Sequence, residues 1–275
     1  MKINVTRKGY AMRLDFHGRL EDRPEIRAGF IGCGSHALRN IYPVFQYAPV
    51  NLIATCDLEL PRAQAVAEKF GAKAAYADFR EMLARETLDA VFIVTGFNAQ
   101  GRPRYPDLAC ECLKAGVHVF IEKPPAASCE DVERMDAAAR AAGRFVMAGL
   151  KKMFFPANEQ AKDLLAGPDF GRVSLASLQY PLFIPPREEF EAYLQRHEPN
   201  RVRGFLDHIC HPAALLVYLF GMPESLYYER AATGAGTALF RMPSGALVTL
   251  LMTHGAAQNG GMERTLVCSD SGRHV

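Results

Sequence analysis

The sequence predicts two consecutive domains, an α/β domain on a doubly wound parallel sheet and an α+β domain with a mainly antiparallel sheet. Three observations carry this. From residue 27 to about residue 150, short apolar strands alternate with amphipathic helices. Near the start, a glycine-rich turn, Gly32-Cys33-Gly34, joins an apolar strand to a helix-forming run. After residue 170, period-two runs succeed one another with short turns such as Pro243-Ser244-Gly245, and strands joined that way pair antiparallel.

Composition narrows the function. The 275 residues are 49% hydrophobic and 23% charged, an ordinary globular balance with core enough for two modest domains. A net charge of +2 gives no basis for nucleic acid or an anionic membrane surface as partner. No apolar run is long enough to span a bilayer, and the N-terminus lacks a signal-peptide core. Seven cysteines, an odd number without framework spacing, fit a reducing cytoplasm, which is the expected location. Cys110 and Cys112 would point to different faces of a helix, so no metal site is read from them.

The elements follow in order. Residues 1–25 form an N-terminal extension, with two short strands (2–6 and 10–16) around Lys8-Gly9 reading as a hairpin without assigned function. Residues 26–150 are the first domain. Its strand 28–31 runs through the glycine turn into a helix, and strand 51–57 follows. Helices 61–70 and 78–85 come next, the first stopped by Gly71. Strand 89–95 is too apolar for a half-exposed position and belongs at the sheet centre. Helix 106–115 closes at Gly116, and strand 117–125 is stopped by Pro124 and Pro125. Ser128 with Asp131 reads as a capping box that opens a helix to residue 142, and strand 144–149 completes the sheet. Residues 151–275 form the second domain: helix 156–166, strand 172–180, helices 187–196 and 204–220, then strands 226–232, 237–242, 246–253 and 263–268.

Gly32-x-Gly34-x-x-Ala37 is the dinucleotide-binding fingerprint of a Rossmann unit in its Ala-ended form. Gly32 allows the tight turn, Gly34 lets a pyrophosphate approach the backbone, and small Ala37 lets helix and strand pack closely. Ser35 and His36 fall in the turn that offers its N–H groups to the phosphates. Asp57 ends the second strand 23 residues after Gly34, where the ribose-binding carboxylate of such a unit belongs. Leu58 and Glu59 follow it, with no basic residue before Arg62, so NAD is expected over NADP. Thr95-Gly96 and Glu122-Lys123-Pro124 sit at carboxyl ends of inner strands, where open α/β sheets bind ligands. Lys123 there is either a solvated strand end or a proton-moving group. In the second domain Asp207 and His211 lie four apart on one helix, either an ion pair or an oriented imidazole able to accept an alcohol proton. His208 beside them finds no further ligand of matching spacing, and no metal is expected.

The fingerprint with its acid, Glu122-Lys123-Pro124, and Gly204-x-x-Asp207-x-x-x-His211 together resemble the Gfo/Idh/MocA family of nicotinamide-dependent sugar and polyol oxidoreductases, from about residue 26 to residue 275. The resemblance implies a Rossmann domain followed by an open-sheet domain used for oligomerisation. It also implies that Lys123, Asp207 and His211 meet around a sugar-like substrate. Three departures stand out. Thr95-Gly96-Phe97-Asn98 replaces the family's Thr-Pro-Asn, and Tyr105 stands where its following His would fall. Lys151-Lys152 replaces an Asn-x-Arg-like segment, which points Lys152 at an anionic substrate. The sequence ends at Val275 where relatives continue into further strands, so the sheet is shortened or the sequence truncated.

The resulting expectation is an NAD(H)-dependent enzyme interconverting a secondary alcohol and a ketone on a sugar, inositol or sugar acid. The alternatives are an NAD-dependent glycoside hydrolase and a non-catalytic NAD-sensing protein. Assembly follows from strand 246–253: Val248, Leu250 and Met252 share one face, and Leu247, Thr249, Leu251 and Thr253 the other, so both faces are largely apolar. Helices of the same domain cover one face only. A homodimer or homotetramer through the second domain's sheet is expected, with the Rossmann domains outermost.

Overall fold

The computed structural model describes residues 3–7, 10–14, 24–196, 201–254 and 262–275. The chain divides into two compact units, residues 1–96 with 103–147, and residues 97–102 with 148–275. Strands β1 (Ile3–Arg7) and β2 (Tyr10–Leu14) pair antiparallel. The Lys8-Gly9 turn expected between them lies outside the described residues.

The first unit is built on a six-stranded sheet in the order β5-β4-β3-β6-β7-β8. Its strands are β3 (Ile26–Ile31), β4 (Val50–Cys56), β5 (Ala74–Tyr76), β6 (Ala90–Ile93), β7 (His118–Ile121) and β8 (Val146–Ala148). The pairs β3–β4, β3–β6, β4–β5 and β6–β7 are parallel. The chain thus starts at an inner strand, winds outward one way, and returns to wind the other, which leaves a crevice at the carboxyl ends of β3 and β6. Helices α1 (Leu60–Phe70), α2 (Phe79–Arg85), α3 (Tyr105–Lys114) and α4 (Cys129–Ala142) connect the strands. Their ends are closed by side-chain caps and left-handed glycines. Asp78 Oδ1 accepts the Arg80 N–H at 2.9 Å, Ser128 Oγ accepts the Asp131 N–H at 3.2 Å, and Gly71 and Gly143 close α1 and α4 in the left-handed conformation. As its apolarity predicts, β6 is an inner strand, with Val91 and Ile93 fully buried.

One element differs in kind. The helix expected after the glycine turn is a π-helical turn, Ala37–Ile41, that runs into a 3₁₀ segment, Tyr42–Tyr47. Pro43 has no N–H to donate into an α-helical ladder, and the Tyr42 N–H bonds five residues back to the Ala37 carbonyl. The wide turn seats the Tyr42 ring in the core, stacked on Phe30 at 4.0 Å and on Phe70 at 4.9 Å.

The second unit has a five-stranded sheet in the order β10-β11-β12-β9-β13. These are β9 (Val173–Tyr180), β10 (Ser225–Arg230), β11 (Gly236–Arg241), β12 (Leu247–Met252) and β13 (Arg264–Ser269). All pairings are antiparallel except β12 with β9. Helices α5 (Pro156–Ala166), α6 (Arg187–Arg196) and α7 (Arg201–Phe220) complete the unit. Ala176, Leu178, Val248, Leu250 and Met252 form the helix-covered core with Leu215, Leu216 and Leu219 of α7. The opposite face stays open: Leu175 is 47% exposed, Leu239 and Leu251 37% each. Residues 97–102, read from sequence as part of the first domain, cluster with this unit. There Asn98 Oδ1 accepts the N–H groups of Gln100 and Arg102, and the Tyr193 hydroxyl of α6 donates to the Gly101 carbonyl at 3.3 Å.

Candidate active site

In the first unit the site grows from the end of β3. The Gly32 N–H donates to the Cys56 carbonyl at 2.8 Å, with Gly32 at φ +105°. A Cβ on Gly32 would lie 2.1 Å from the Val94 carbonyl oxygen, so glycine is obligatory here. A Cβ on Gly34 would meet nothing within 4 Å. The second glycine is therefore not required by the protein's own packing. Gly34, Ser35 and His36 are exposed, whereas Ala37 is fully buried against the sheet. The turn thus presents backbone outward on a close-packed base.

Asp57 does more than its spacing suggested. Its Oδ2 accepts the Cys33 N–H at 2.9 Å and its Oδ1 the Glu59 N–H at 3.0 Å, so it ties β4 to the glycine turn. A carboxylate has about four lone-pair sites, which leaves room for ribose hydroxyls. Arg62 reaches back to Asp57 Oδ1 (3.4 Å) and Glu59 Oε1 (2.8 Å). Cys33, inside the turn, is a buried thiol whose pKa burial pushes up to about 11, so it is inert at neutral pH.

At the ends of the inner strands, the Tyr105 hydroxyl donates to the Thr95 carbonyl at 3.0 Å. Tyr105, which stands where the family's His would fall, is 5% exposed and props the Thr95 loop from within. Thr95 Oγ1 is buried with no hydrogen-bond partner among the described residues. Glu122 is 8% exposed, and its Oε2 accepts the Lys123 N–H at 3.1 Å. The His36 Nε2 lies 3.6 Å from Glu122 Oε1, while Asn40 Nδ2 sits 3.1 Å from His36 Nδ1. This pairing links the glycine turn to the strand end that carries Lys123. No motif spacing announced it. Lys123 itself is half-buried, and its bond to Pro124 is cis. An outward glycine turn with open space at Gly34 and an orphaned hydroxyl at Thr95 fit a dinucleotide.

In the second unit α7 carries Asp207, half-buried, and His211, 6% exposed, one turn apart. His208 is turned onto its own helix, with Nδ1 2.7 Å from the Gly204 carbonyl. Lys152 is 7% exposed and pairs with the Glu263 carboxylate. Its ammonium lies 5.2 Å from the Phe155 ring centre and 5.4 Å from that of Tyr180. Burial, reinforced by Glu263, pushes the Tyr180 phenol up to about 12. This group lines a cavity of 470 Å³ with Asn158, Pro212 and Leu215. The cation that the sequence offered to an anionic substrate thus has an internal counter-ion, and 111 residues separate the two.

Comparison with known proteins agrees with this architecture. A family model described as "Oxidoreductase family, NAD-binding Rossmann fold" matches residues 26–150, and the "GFO/IDH/MocA C-terminal domain" model matches residues 158–273. The chain is 30% identical over 129 residues to trans-1,2-dihydrobenzene-1,2-diol dehydrogenase from Mus musculus, covering 47% of this chain and 37% of the relative. It is 25% identical over 202 residues to D-xylose 1-dehydrogenase (NADP(+)) 2 from Haloferax volcanii, covering 72% and 58%. The chain thus spans less than two thirds of the length of these relatives. Among solved structures, the WlbA dehydrogenase from Bordetella pertussis in complex with NADH and UDP-GlcNAcA superposes with a TM-score of 0.70 at 25% identity, over 90% of this chain and 76% of that one. The myo-inositol 2-dehydrogenase from Lactobacillus plantarum gives 0.71 at 22% identity, over 91% and 76%.

Proposed function

The chain belongs to the Gfo/Idh/MocA oxidoreductase family, and on that premise we propose that it is an NAD(H)-dependent dehydrogenase interconverting a secondary alcohol and a ketone on a sugar, inositol or sugar acid. The observation that carries this reading is the glycine turn, tight at Gly32, open at Gly34 and tied to Asp57. When bound, NAD supplies the acceptor or donor of hydride. The chain's residues do the rest. Backbone N–H groups at Gly34, Ser35 and His36 hold the pyrophosphate, Asp57 takes the ribose hydroxyls, and Thr95 Oγ1, Gly96 and Glu122 line the nicotinamide end. His211, oriented by Asp207, holds the proton of the reacting hydroxyl. Lys123 hydrogen-bonds the same oxygen and stabilises its alkoxide character.

Cofactor preference tests the dinucleotide half of this reading. Asp57 and Glu59 against Arg62 leave one net negative charge where a 2′-phosphate would sit. NADH is therefore expected to bind at least about tenfold more tightly than NADPH, a difference of about 1.4 kcal/mol. Fluorescence titration of the reduced dinucleotides measures it, and equal or tighter NADPH binding would refute the assignment.

Assembly is the second expectation. Leu175, Leu239 and Leu251 on the open sheet face form an apolar surface of the kind a second subunit covers. Light scattering at micromolar concentration should give a homodimer or homotetramer, and Leu251→Lys should shift it toward monomer. A monomeric unmodified protein would overturn this. A cytoplasmic setting is part of the reading, supported by seven free cysteines. No helix among the described residues is long and apolar enough to cross a membrane.

A further inference from the structure

The helix that carries Asp207 and His211 carries a third polar group in the same row. Arg203, Asp207 and His211 are spaced four apart, so they lie along one stripe of α7 that drifts by only about 40° per step. Arg203 is half-buried, and its guanidinium carbon sits 4.0 Å from the centre of the Phe97 ring. Phe97 opens the segment 97–102, where this chain departs from the family's Thr-Pro-Asn pattern. That segment is pinned by the Asn98 side chain and by the Tyr193 hydroxyl. The ring is therefore a fixed platform, and a guanidinium laid over a ring face keeps its N–H groups for a planar anion.

No carboxylate among the described residues forms an ion pair with Arg203, whereas Arg201, two residues earlier, is bound by Glu189. Lys152, the other candidate, is held by Glu263. A half-buried guanidinium without a counter-ion among the described residues, oriented on an aromatic platform, in line with the proposed acid–base pair, suits a ligand carboxylate.

We infer that Arg203, set by Phe97, recognises a carboxylate on the substrate, so that the physiological substrate is a hydroxy acid of the sugar-acid type rather than a neutral sugar or inositol. This rests on the dehydrogenase reading above and narrows it to one substrate class. Arg203 is a specificity residue and takes no part in moving hydride or proton.

The test compares matched pairs, D-glucuronate with D-glucose and D-galacturonate with D-galactose, on the full chain with NAD present. Thermal shift reads binding, and formation of NADH reads turnover. The expected result is a larger shift, and at least about tenfold higher kcat/KM, for each acid than for its neutral partner, since hydrogen bonds to charged groups contribute about 1.5–3 kcal/mol. In Arg203→Met the acid-to-neutral ratio should fall toward unity, and Arg203→Lys should retain part of it. A neutral sugar bound as well as its acid by the unmodified protein, or a preference that survives Arg203→Met, overturns the inference. The two readings fail separately. If the neutral sugars form NADH and the acids do not, the carboxylate site is wrong and the dehydrogenase stands. If no sugar forms NADH, the dehydrogenase reading fails on this panel. The thermal shifts still judge Arg203: acid-specific stabilisation lost in Arg203→Met supports it, and its absence overturns it.

Discussion

Replacing His211 by Gln, or Lys123 by Met, is expected to lower kcat by roughly 10²–10⁴-fold each, the contribution of a positioned acid–base or alkoxide-stabilising group. The loss should fall on kcat more than on KM, because in the proposed roles each group acts on an oxygen whose charge changes during the reaction. The folded protein should survive both changes. Lys123 is half-buried at a strand end, and Gln replaces the His211 ring with another hydrogen-bonding group at a site only 6% exposed. Circular dichroism melting separates a catalytic loss from a folding loss. Asp207→Asn should fall between these and the unmodified enzyme, because it alters the proposed partner of the base and not the base itself. Less than about a tenfold loss for both Lys123→Met and His211→Gln would contradict the assigned roles.

The glycine turn supplies the second large effect, and its two glycines should fail differently. In Gly32→Ala the new methyl meets the Val94 carbonyl oxygen at 2.1 Å, on a backbone at φ +105°. Strain of that kind costs about 1–3 kcal/mol even before the clash is relieved. Both the melting temperature and dinucleotide binding should drop. In Gly34→Ala the methyl enters open space, so the melting temperature should hold within a degree or two while NADH binding weakens at least about tenfold, about 1.4 kcal/mol. Loss of stability in Gly34→Ala, or retained NADH binding in both variants, would show that the turn is structural and not a phosphate cradle.

What the sequence made legible was the part written in local patterns. The alternation of apolar strands with capped helices was readable because signals such as Gly71 and the Ser128–Asp131 box act within a few residues. The two faces of β12 were readable for the same reason: Val248, Leu250 and Met252 are buried and Leu251 is exposed, as period two requires. The π-helical turn at Ala37 was not, because Pro43 only marks where an α-ladder stops. What replaced the ladder was decided by the Phe30, Tyr42 and Phe70 stack, which joins residues far apart in sequence.

The candidate site shows the same division. Gly32, Gly34, Asp57, Asp207 and His211 stood out as candidates by spacing, and Lys123 by its place at a strand end. The contacts around the candidate site did not: His36 with Glu122, Asp57 with the Cys33 N–H, and Lys152 with Glu263 join residues at least 24 apart, and Tyr105 reaches under Thr95 from ten residues on. Lys152 is the instructive case. As a basic residue in a family position it reads as a substrate cation, and only the fold reveals the carboxylate beside it.

The most direct measurement follows NADH formation when the protein and NAD are given sugars, inositols and their acids, with the ketone product quantified in parallel. Net growth of the reduced-nicotinamide absorbance is expected, with one NADH for each ketone formed. Release of a sugar from a glycoside with no net absorbance change, or bound NAD with no NADH formed across the whole panel, would contradict the proposed function.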